Sequence, residues 1–127
     1  MSDILQNPDK PWDCVYLSMN LNITMDDILK HPDIPWSYIY LSMNPGITMA
    51  DVLSHPDKPW KYNYLSRNPG ITMKDVLENP DTLDNQWDYF WLSHNPGITM
   101  KDVLANPGKE WNYTYLSKNP SITMKDV

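Results

Sequence analysis

Apolar and polar positions along the chain recur with one fixed spacing. One tryptophan series comprises Trp12, Trp36, Trp60, Trp87 and Trp111. The methionine of an Ile-Thr-Met tripeptide recurs as Met25, Met49, Met73, Met100 and Met124. Both series step by 24, 24, 27 and 24 residues, and the long step falls in "PDTLDNQW", three residues longer than "PDKPW". Because unrelated residue types share the spacing, the sequence predicts an array of about five repeat units.

The first half of each unit predicts a short helix. In the copy "ITMADVL", Thr48 is suited to cap the helix, and Asp51 can return the bond as in a capping box. Ile47 before the cap and Val52 in the helix have the spacing of a hydrophobic staple. Pro56 must end the helix, so it runs for about two turns.

The second half of each unit, P-W-x-Y-x-Y-L-S-x-N, is ambiguous. Asp57 can cap a helix whose first turn contains Pro59, and this helix would place Trp60 and Tyr64 on one face. The alternation W-x-Y-x-Y also fits a β-strand. We favour a second short helix that ends at the following Asn-Pro.

Helices this short must bury their apolar faces against neighbouring units. The sequence therefore predicts one all-α domain over 1–127, a right-handed solenoid of about five 24-residue repeats with two short helices each. An α/β solenoid of the leucine-rich-repeat kind is the alternative. The predicted units are 1–24, 25–48, 49–72, 73–99 and 100–123, and 124–127 begins a truncated sixth.

The unit N-P-x-I-T-x-x-x-V/I-L-x-x-P-D-K-P-W-x-Y-x-x-L-S-x-N-P resembles tandem repeats common in proteins of giant (nucleocytoplasmic large) DNA viruses. The resemblance covers essentially the whole chain. Those repeats usually carry a second tryptophan where this chain has Cys14, Tyr38, Tyr62, Tyr89 and Tyr113. The resemblance implies an intracellular viral protein of an interaction-type family, without catalytic residues, in the host cytoplasm or nucleus or in the virion. The unit is more distantly similar to bacterial leucine-rich variant repeats.

Composition narrows the classes of partner. The net charge of −6 disfavours nucleic acid, which is bound largely through Lys and Arg. A nucleic-acid-associated repeat remains the alternative function, and its best basic column is Lys74, Lys101 and Lys125. The chain has no apolar run long enough to span a membrane and no secretory leader, so we expect neither a membrane partner nor secretion. A single cysteine, Cys14, fits a reducing compartment.

The repeated polar columns predict structural roles rather than catalysis. His31 and His55 are equivalent in adjacent units and therefore roughly 10 Å apart, too far to share a metal. The aspartate column is expected to cap helices. The serine column has no histidine at a fixed offset that could act as a base and activate the hydroxyls. We therefore expect no enzyme activity, no cofactor and no metal site. The asparagine column is expected to form a hydrogen-bonding ladder; it comprises Asn20, Asn44, Asn68, Asn95 and Asn119.

Two variable columns of the second helix suggest an interface. In the first two units they hold the apolar pairs Val15–Met19 and Ile39–Met43, whereas the third and fifth units place polar residues there. An apolar group on an otherwise polar face predicts a contact patch, unless the first units bury these residues internally.

The ends of the chain support the same prediction. Neither end of the sequence shows a polar capping unit, which solenoids normally need. We therefore expect a homodimer that uses Val15, Met19, Ile39 and Met43.

The segment that makes one step three residues longer, which we call the insertion, is a second candidate surface. Extra residues in one repeat map to a loop at one edge of the array. It comprises Thr82, Leu83, Asp84, Asn85 and Gln86. We expect it either to face a partner or to reflect harmless drift.

Overall fold

The computed structural model describes residues 2–126, and there the chain forms short helices without any strand. The helices are α1 (Ser2–Gln6), α2 (Cys14–Met19), α3 (Met25–Lys30), α4 (Tyr38–Met43), α5 (Met49–Ser54), α6 (Tyr62–Leu65), α7 (Met73–Glu78), α8 (Tyr89–His94), α9 (Met100–Ala105) and α10 (Tyr113–Leu116). The predicted all-α repeat solenoid is confirmed, and the α/β alternative is wrong. Met1 and Val127, the outer limits of the predicted first and last units, lie outside the described residues.

The first helix of each unit follows the predicted local rules. Thr48 precedes α5 and accepts a bond from the backbone N–H of Asp51 at 3.2 Å, while the Asp51 carboxylate accepts the Thr48 N–H at 2.9 Å. The same reciprocal box, with aspartate in the place of glutamate, precedes α3, α7 and α9. Each of these helices is six residues long, so the prediction is confirmed in its start and its length.

The second helix begins later than the sequence predicted. In the third unit, α6 starts at Tyr62, beyond Pro59 and Trp60. Asp57 is exposed and lies too early in the chain to cap the helix. The predicted cap is therefore wrong, and so is the prediction that Trp60 and Tyr64 share a helical face.

The tryptophan itself delays the helix. The Trp60 backbone N–H donates to the Lys58 carbonyl and its indole N–H to the His55 carbonyl, both at 2.9 Å. These bonds hold the segment in a tight turn before α6. The capping position consequently falls on the residue directly after each tryptophan, where Asp13 caps α2 and Asp88 caps α8.

The core runs continuously along the array. The isoleucine before each threonine cap is almost fully buried, as are the leucines of the second helices. The valine or isoleucine of the first helix and most of the periodic tryptophans join the same cluster. The second helices stack on one another, α2 on α4, α4 on α6 and α8 on α10. Each unit is therefore stabilised by burial against its neighbours rather than by a core of its own.

A column of buried asparagines connects successive units. Asn68 donates from Nδ2 to the carbonyls of Ser42, Asn44 and Ile47 at 2.8 to 3.1 Å, and its Oδ1 accepts the Gly70 N–H at 2.9 Å. Asn119 makes the same three bonds to its preceding unit, and Asn44 and Asn95 make two of the three. The predicted asparagine ladder is confirmed for these four residues.

Candidate interaction surface

The side chains that most often carry catalysis serve the backbone here. The Ser66 hydroxyl is fully buried, donates to the Tyr62 carbonyl and accepts the Asp88 N–H of the next unit, both at 2.8 Å. Ser18, Ser42 and Ser93 repeat this arrangement. The aspartates of the capping boxes are equally engaged. These columns hold the helices and position the units against one another.

The remaining candidate ligands are dispersed. His31 and His55 are half-buried and end α3 and α5. Cys14 is half-buried at the first position of α2. Across residues 2–126, no group of three or more His, Cys, Asp or Glu side chains has a geometry that could hold a metal ion.

The four predicted interface residues lie together on the second-helix face. Val15 and Met19 are on α2, Ile39 and Met43 are on α4, and these two helices pack directly against each other. Val15 is 42 % exposed, Met19 45 % and Ile39 41 %, whereas Met43 is half-buried. We call these four residues the N-terminal patch. Three of its members are surface residues, so the alternative that the first units bury them in the core is wrong for those three.

The predicted partner loop is a fixed turn. The Asn85 side chain accepts the Tyr62 N–H at 2.7 Å and donates to the Trp60 carbonyl at 3.1 Å, which ties the loop to the preceding unit. Thr82 and Asn85 also bond each other through their backbone and the threonine hydroxyl. The side chain of Leu83 is 100 % exposed at the tip.

The insertion loop and the N-terminal patch adjoin each other. A shallow groove of about 460 Å³ is lined by Ile39 from the patch, by Leu83 and Asp84 from the loop, and by Tyr64 from α6. The structure therefore brings together two candidate surfaces that the sequence predicted separately.

Toward the C-terminus the same second-helix face becomes aromatic and cationic. The Arg67 guanidinium lies over the Trp91 ring, 4.1 Å from its centroid. Phe90 contacts Trp91 and Tyr115, with ring centroids 5.3 Å and 4.1 Å apart. The His94 ring centroid lies 5.9 Å from that of Tyr115, and the ammonium nitrogen of Lys118 lies 5.1 Å from the Tyr115 centroid. We call this group the cation–aromatic cluster; it comprises Arg67, Phe90, Trp91, His94, Tyr115 and Lys118.

Sequence reasoning missed this cluster because it followed the periodic tryptophans only. Trp91 stands outside that series, in a column otherwise occupied by tyrosine. Arg67 precedes it by 24 residues, whereas the step at this junction is 27, so the two residues belong to different columns and meet because one unit stacks on the next. The signal that could have found the cluster was a tryptophan in a tyrosine column, in the unit that follows the arginine.

A column of leucines on the first helices is also exposed, and sequence reasoning missed it too. Its members are Leu5, Leu29, Leu53, Leu77 and Leu104, each about half exposed or more. The preceding residue in each helix, such as Val52, points into the core. Adjacent positions of a helix do not share a face, so only one residue of each Val-Leu pair can be buried.

The perturbed ionisable groups lie outside both surfaces. Burial raises the pKa of the Tyr38 and Tyr89 hydroxyls above their ordinary value. The Lys30 pKa is raised by its hydrogen bond to Asp26, whose carboxylate lies 2.9 Å from the ammonium group. These shifts reflect packing and a surface ion pair.

The predicted basic column is partly neutralised. The ammonium group of Lys74 lies 3.9 Å from the Glu78 carboxylate on the same helix, and both side chains are exposed. This ion pair reduces the positive charge that the column could offer to a phosphate backbone.

Within residues 2–126, no helix has the length and apolarity to cross a membrane. Comparison with known proteins finds no matching family model, no matching curated protein and no matching solved structure. The fold and its surfaces together define the class: an all-α repeat solenoid whose second-helix face changes from apolar to aromatic and cationic along the array.

Proposed function

We propose that this chain is a non-enzymatic protein-interaction or structural module that forms a homodimer through the N-terminal patch. The observation that supports the proposal is the exposure of Val15, Met19 and Ile39 on two directly packed helices. The resemblance of the repeat unit to giant-virus repeats supports an intracellular or virion role in a large DNA virus.

The geometry of the patch suits a two-fold contact. The apolar side chains of α2 and α4 form two adjacent rows. A two-fold axis that runs between these helices would place α2 of one copy opposite α4 of the other, so that both rows are covered. Removing these side chains from water supplies the driving force. Leu83 on its fixed loop lies at the edge of the same surface and would extend the contact.

Mass in solution tests the proposal. We expect light scattering or sedimentation to give the mass of two chains for the parent protein. The double variant Met19→Lys, Met43→Lys should be monomeric, because like charges placed opposite each other across an interface cost several kcal/mol. A monomeric parent would contradict the proposal.

A matched variant controls for the loss of exposed apolar area. Leu29 and Leu53 are exposed to a similar extent, at 45 % and 52 %, but they lie on the first helices. The double variant Leu29→Lys, Leu53→Lys should remain a dimer. If the leucine variant becomes monomeric while the patch variant stays dimeric, the interface lies on the leucine column instead.

A further inference from the structure

We infer that the cation–aromatic cluster binds an acidic, extended segment of a partner protein, with carboxylates beside apolar side chains. The inference rests on the proposed protein-interaction function. It uses residues within or directly after α6, α8 and α10, however, and none of the N-terminal patch.

Arg67 is arranged as a carboxylate-binding group. Its guanidinium carbon lies over the Trp91 ring, 4.1 Å from the ring centroid, so the ring helps to fix the position of the cationic group. The N–H donors of the guanidinium are available to a ligand, since none of them bonds to another described residue. A planar fork held in position suits the two oxygens of a carboxylate, because little conformational entropy remains to be lost on binding.

His94 and Lys118 continue the same row on the next two units. Both are exposed, both lie beside Tyr115, and neither is in an ion pair within the described part of the chain. Two cationic side chains and one imidazole donor thus stand at equivalent positions of three consecutive units. Phe90, 37 % exposed beside Tyr115, offers a contact for an apolar side chain.

The spacing of this row indicates the conformation of the ligand. Helices α8 and α10 pack against each other, and packed helices lie about 8–10 Å apart, so His94 and Lys118 are separated by about that distance. A polyproline II segment rises about 3.1 Å per residue with three residues per turn, which places every third side chain on one face at intervals of about 9 Å. We therefore expect acidic residues at every third position of the partner segment.

Charge favours a peptide over nucleic acid. The chain carries a net charge of −6, and Asp88 and Glu110 line the groove beside Phe90. A phosphate backbone would pass these carboxylates with few Lys or Arg side chains to offset them. A peptide needs only to place its few carboxylates at the cationic row.

Fluorescence anisotropy of the full chain with a fluorescein-labelled peptide of Glu-Pro-Leu repeats tests the inference. We expect saturable binding at low salt, and at least about tenfold weaker binding of the matching Gln-Pro-Leu peptide. The Arg67→Gln variant should lose about tenfold in affinity, and Arg67→Lys should also bind more weakly because the planar fork is lost. Lys118→Gln, at the far end of the row, provides an independent second variant.

Lys101→Gln is the charge-matched control, because Lys101 is exposed on a first helix away from the cluster. Its affinity should stay within about twofold of the parent. Equal weakening by Lys101→Gln, or equal binding of the two peptides, would overturn the inference. So would tighter binding of a labelled oligo-dT strand, which would assign the cluster to nucleic acid.

The dimer proposal and the peptide-binding inference can be contradicted independently of each other. The Met19→Lys, Met43→Lys variant should keep the affinity of the parent for the peptide, whatever its mass in solution. A change of mass on Arg67→Gln would instead identify a second copy of the chain as the occupant of the cluster, and would overturn the peptide inference.

Discussion

At the scale of single residues, the buried asparagine of each unit joins that unit to the one before it. Asn68 bonds three carbonyls of the preceding unit and one N–H of its own turn, and it is 0 % exposed. The first member of the column, Asn20, is exposed, and within the described residues its side chain makes a local bond alone, to the N–H of Asn22. Asn68 and Asn20 therefore allow the bonds between units to be compared with a bond inside one turn.

Replacement of Asn68 by alanine should lower the free energy of unfolding by about 2–4 kcal/mol, because buried carbonyls are left without donors. Asn20→Ala should cost less than about 1 kcal/mol, since it removes one exposed bond. Urea unfolding followed by tryptophan fluorescence measures both. Equal losses in the two variants would show that the inter-unit bonds contribute little.

Two glycines of one column differ in what surrounds them. A Cβ on Gly97 would lie 2.0 Å from the carbonyl oxygen of Ile71, whereas one on Gly70 would meet only the Asn68 side chain at 3.4 Å. Neither glycine has a positive φ. Gly97 is therefore required by the close approach of two units, and Gly70 is not.

Gly97→Ala should destabilise the protein by about 1–3 kcal/mol, because the backbone of one unit must move away from the next. Gly70→Ala should be neutral or stabilise by up to about 1 kcal/mol, since alanine restricts the unfolded chain. Thermal melting of the two variants beside the parent tests this difference. A Gly70→Ala protein that melts as early as Gly97→Ala would contradict it.

At the scale of elements, the insertion supplies a bond that the third unit lacks. The capping position of α6 is occupied by Lys61, whose side chain makes no capping bond. Asn85 of the insertion accepts the first N–H of this helix. The extra residues therefore contribute to folding, which the hypothesis of harmless drift did not include.

Asn85→Ala should cost about 1 kcal/mol, the usual loss on removal of a helix cap. Asp84→Ala in the same loop should change stability by less than about 0.5 kcal/mol, because Asp84 is exposed and makes no described hydrogen bond or ion pair. Chemical denaturation of both variants provides the measurement. A loss on Asp84→Ala as large as that on Asn85→Ala would indicate a general effect of altering the loop.

The stacking of aromatic rings between units also changes at the insertion. Tyr38 meets Trp60 edge-on with ring planes at 79°, and the fourth and fifth units repeat this contact at 86°. Across the insertion, Tyr62 and Trp87 are stacked at 26° instead. The longer connection thus alters the geometry of one junction while the core remains continuous.

At the scale of the whole molecule, stability is expected to vary along the array because each unit contacts its neighbours. Leu92 and Leu41 are equivalent residues, both 0 % exposed, in the C-terminal and N-terminal halves. Leu92→Ala should accelerate amide hydrogen exchange in α8–α10 more than in α2–α4, and Leu41→Ala should do the reverse. Leucine-to-alanine changes in cores cost about 2–5 kcal/mol, which is large enough to resolve.

Mass spectrometry of exchanged peptides reads each half separately. Uniform acceleration across the chain in both variants would mean that the array unfolds as one cooperative unit. The difference between halves matters for the surfaces, because the N-terminal patch and the cation–aromatic cluster lie on opposite halves of the second-helix face.

The sequence by itself determined the repeat length, the first helix of each unit and the roles of its aspartate and asparagine columns. Each of these depends on residues within a few positions of one another, such as Thr48 with Asp51, or on a column that recurs unchanged. Local hydrogen bonding and periodicity are encoded in short stretches, so they can be predicted without knowledge of the neighbouring units.

Only the tertiary structure decided where the second helix begins, which leucines face solvent and which residues of different units meet. The indole bond of Trp60 delays α6, and the ring of Trp91 lies under Arg67 of the preceding unit. The position of Asn85 against Tyr62 likewise depends on how two units stack. The contacts of Trp91 and Asn85 arise from packing between units, and the order of residues within one unit does not specify them. The Trp60 bond lies within one unit, but the pattern of apolar positions does not show which carbonyl the indole N–H reaches.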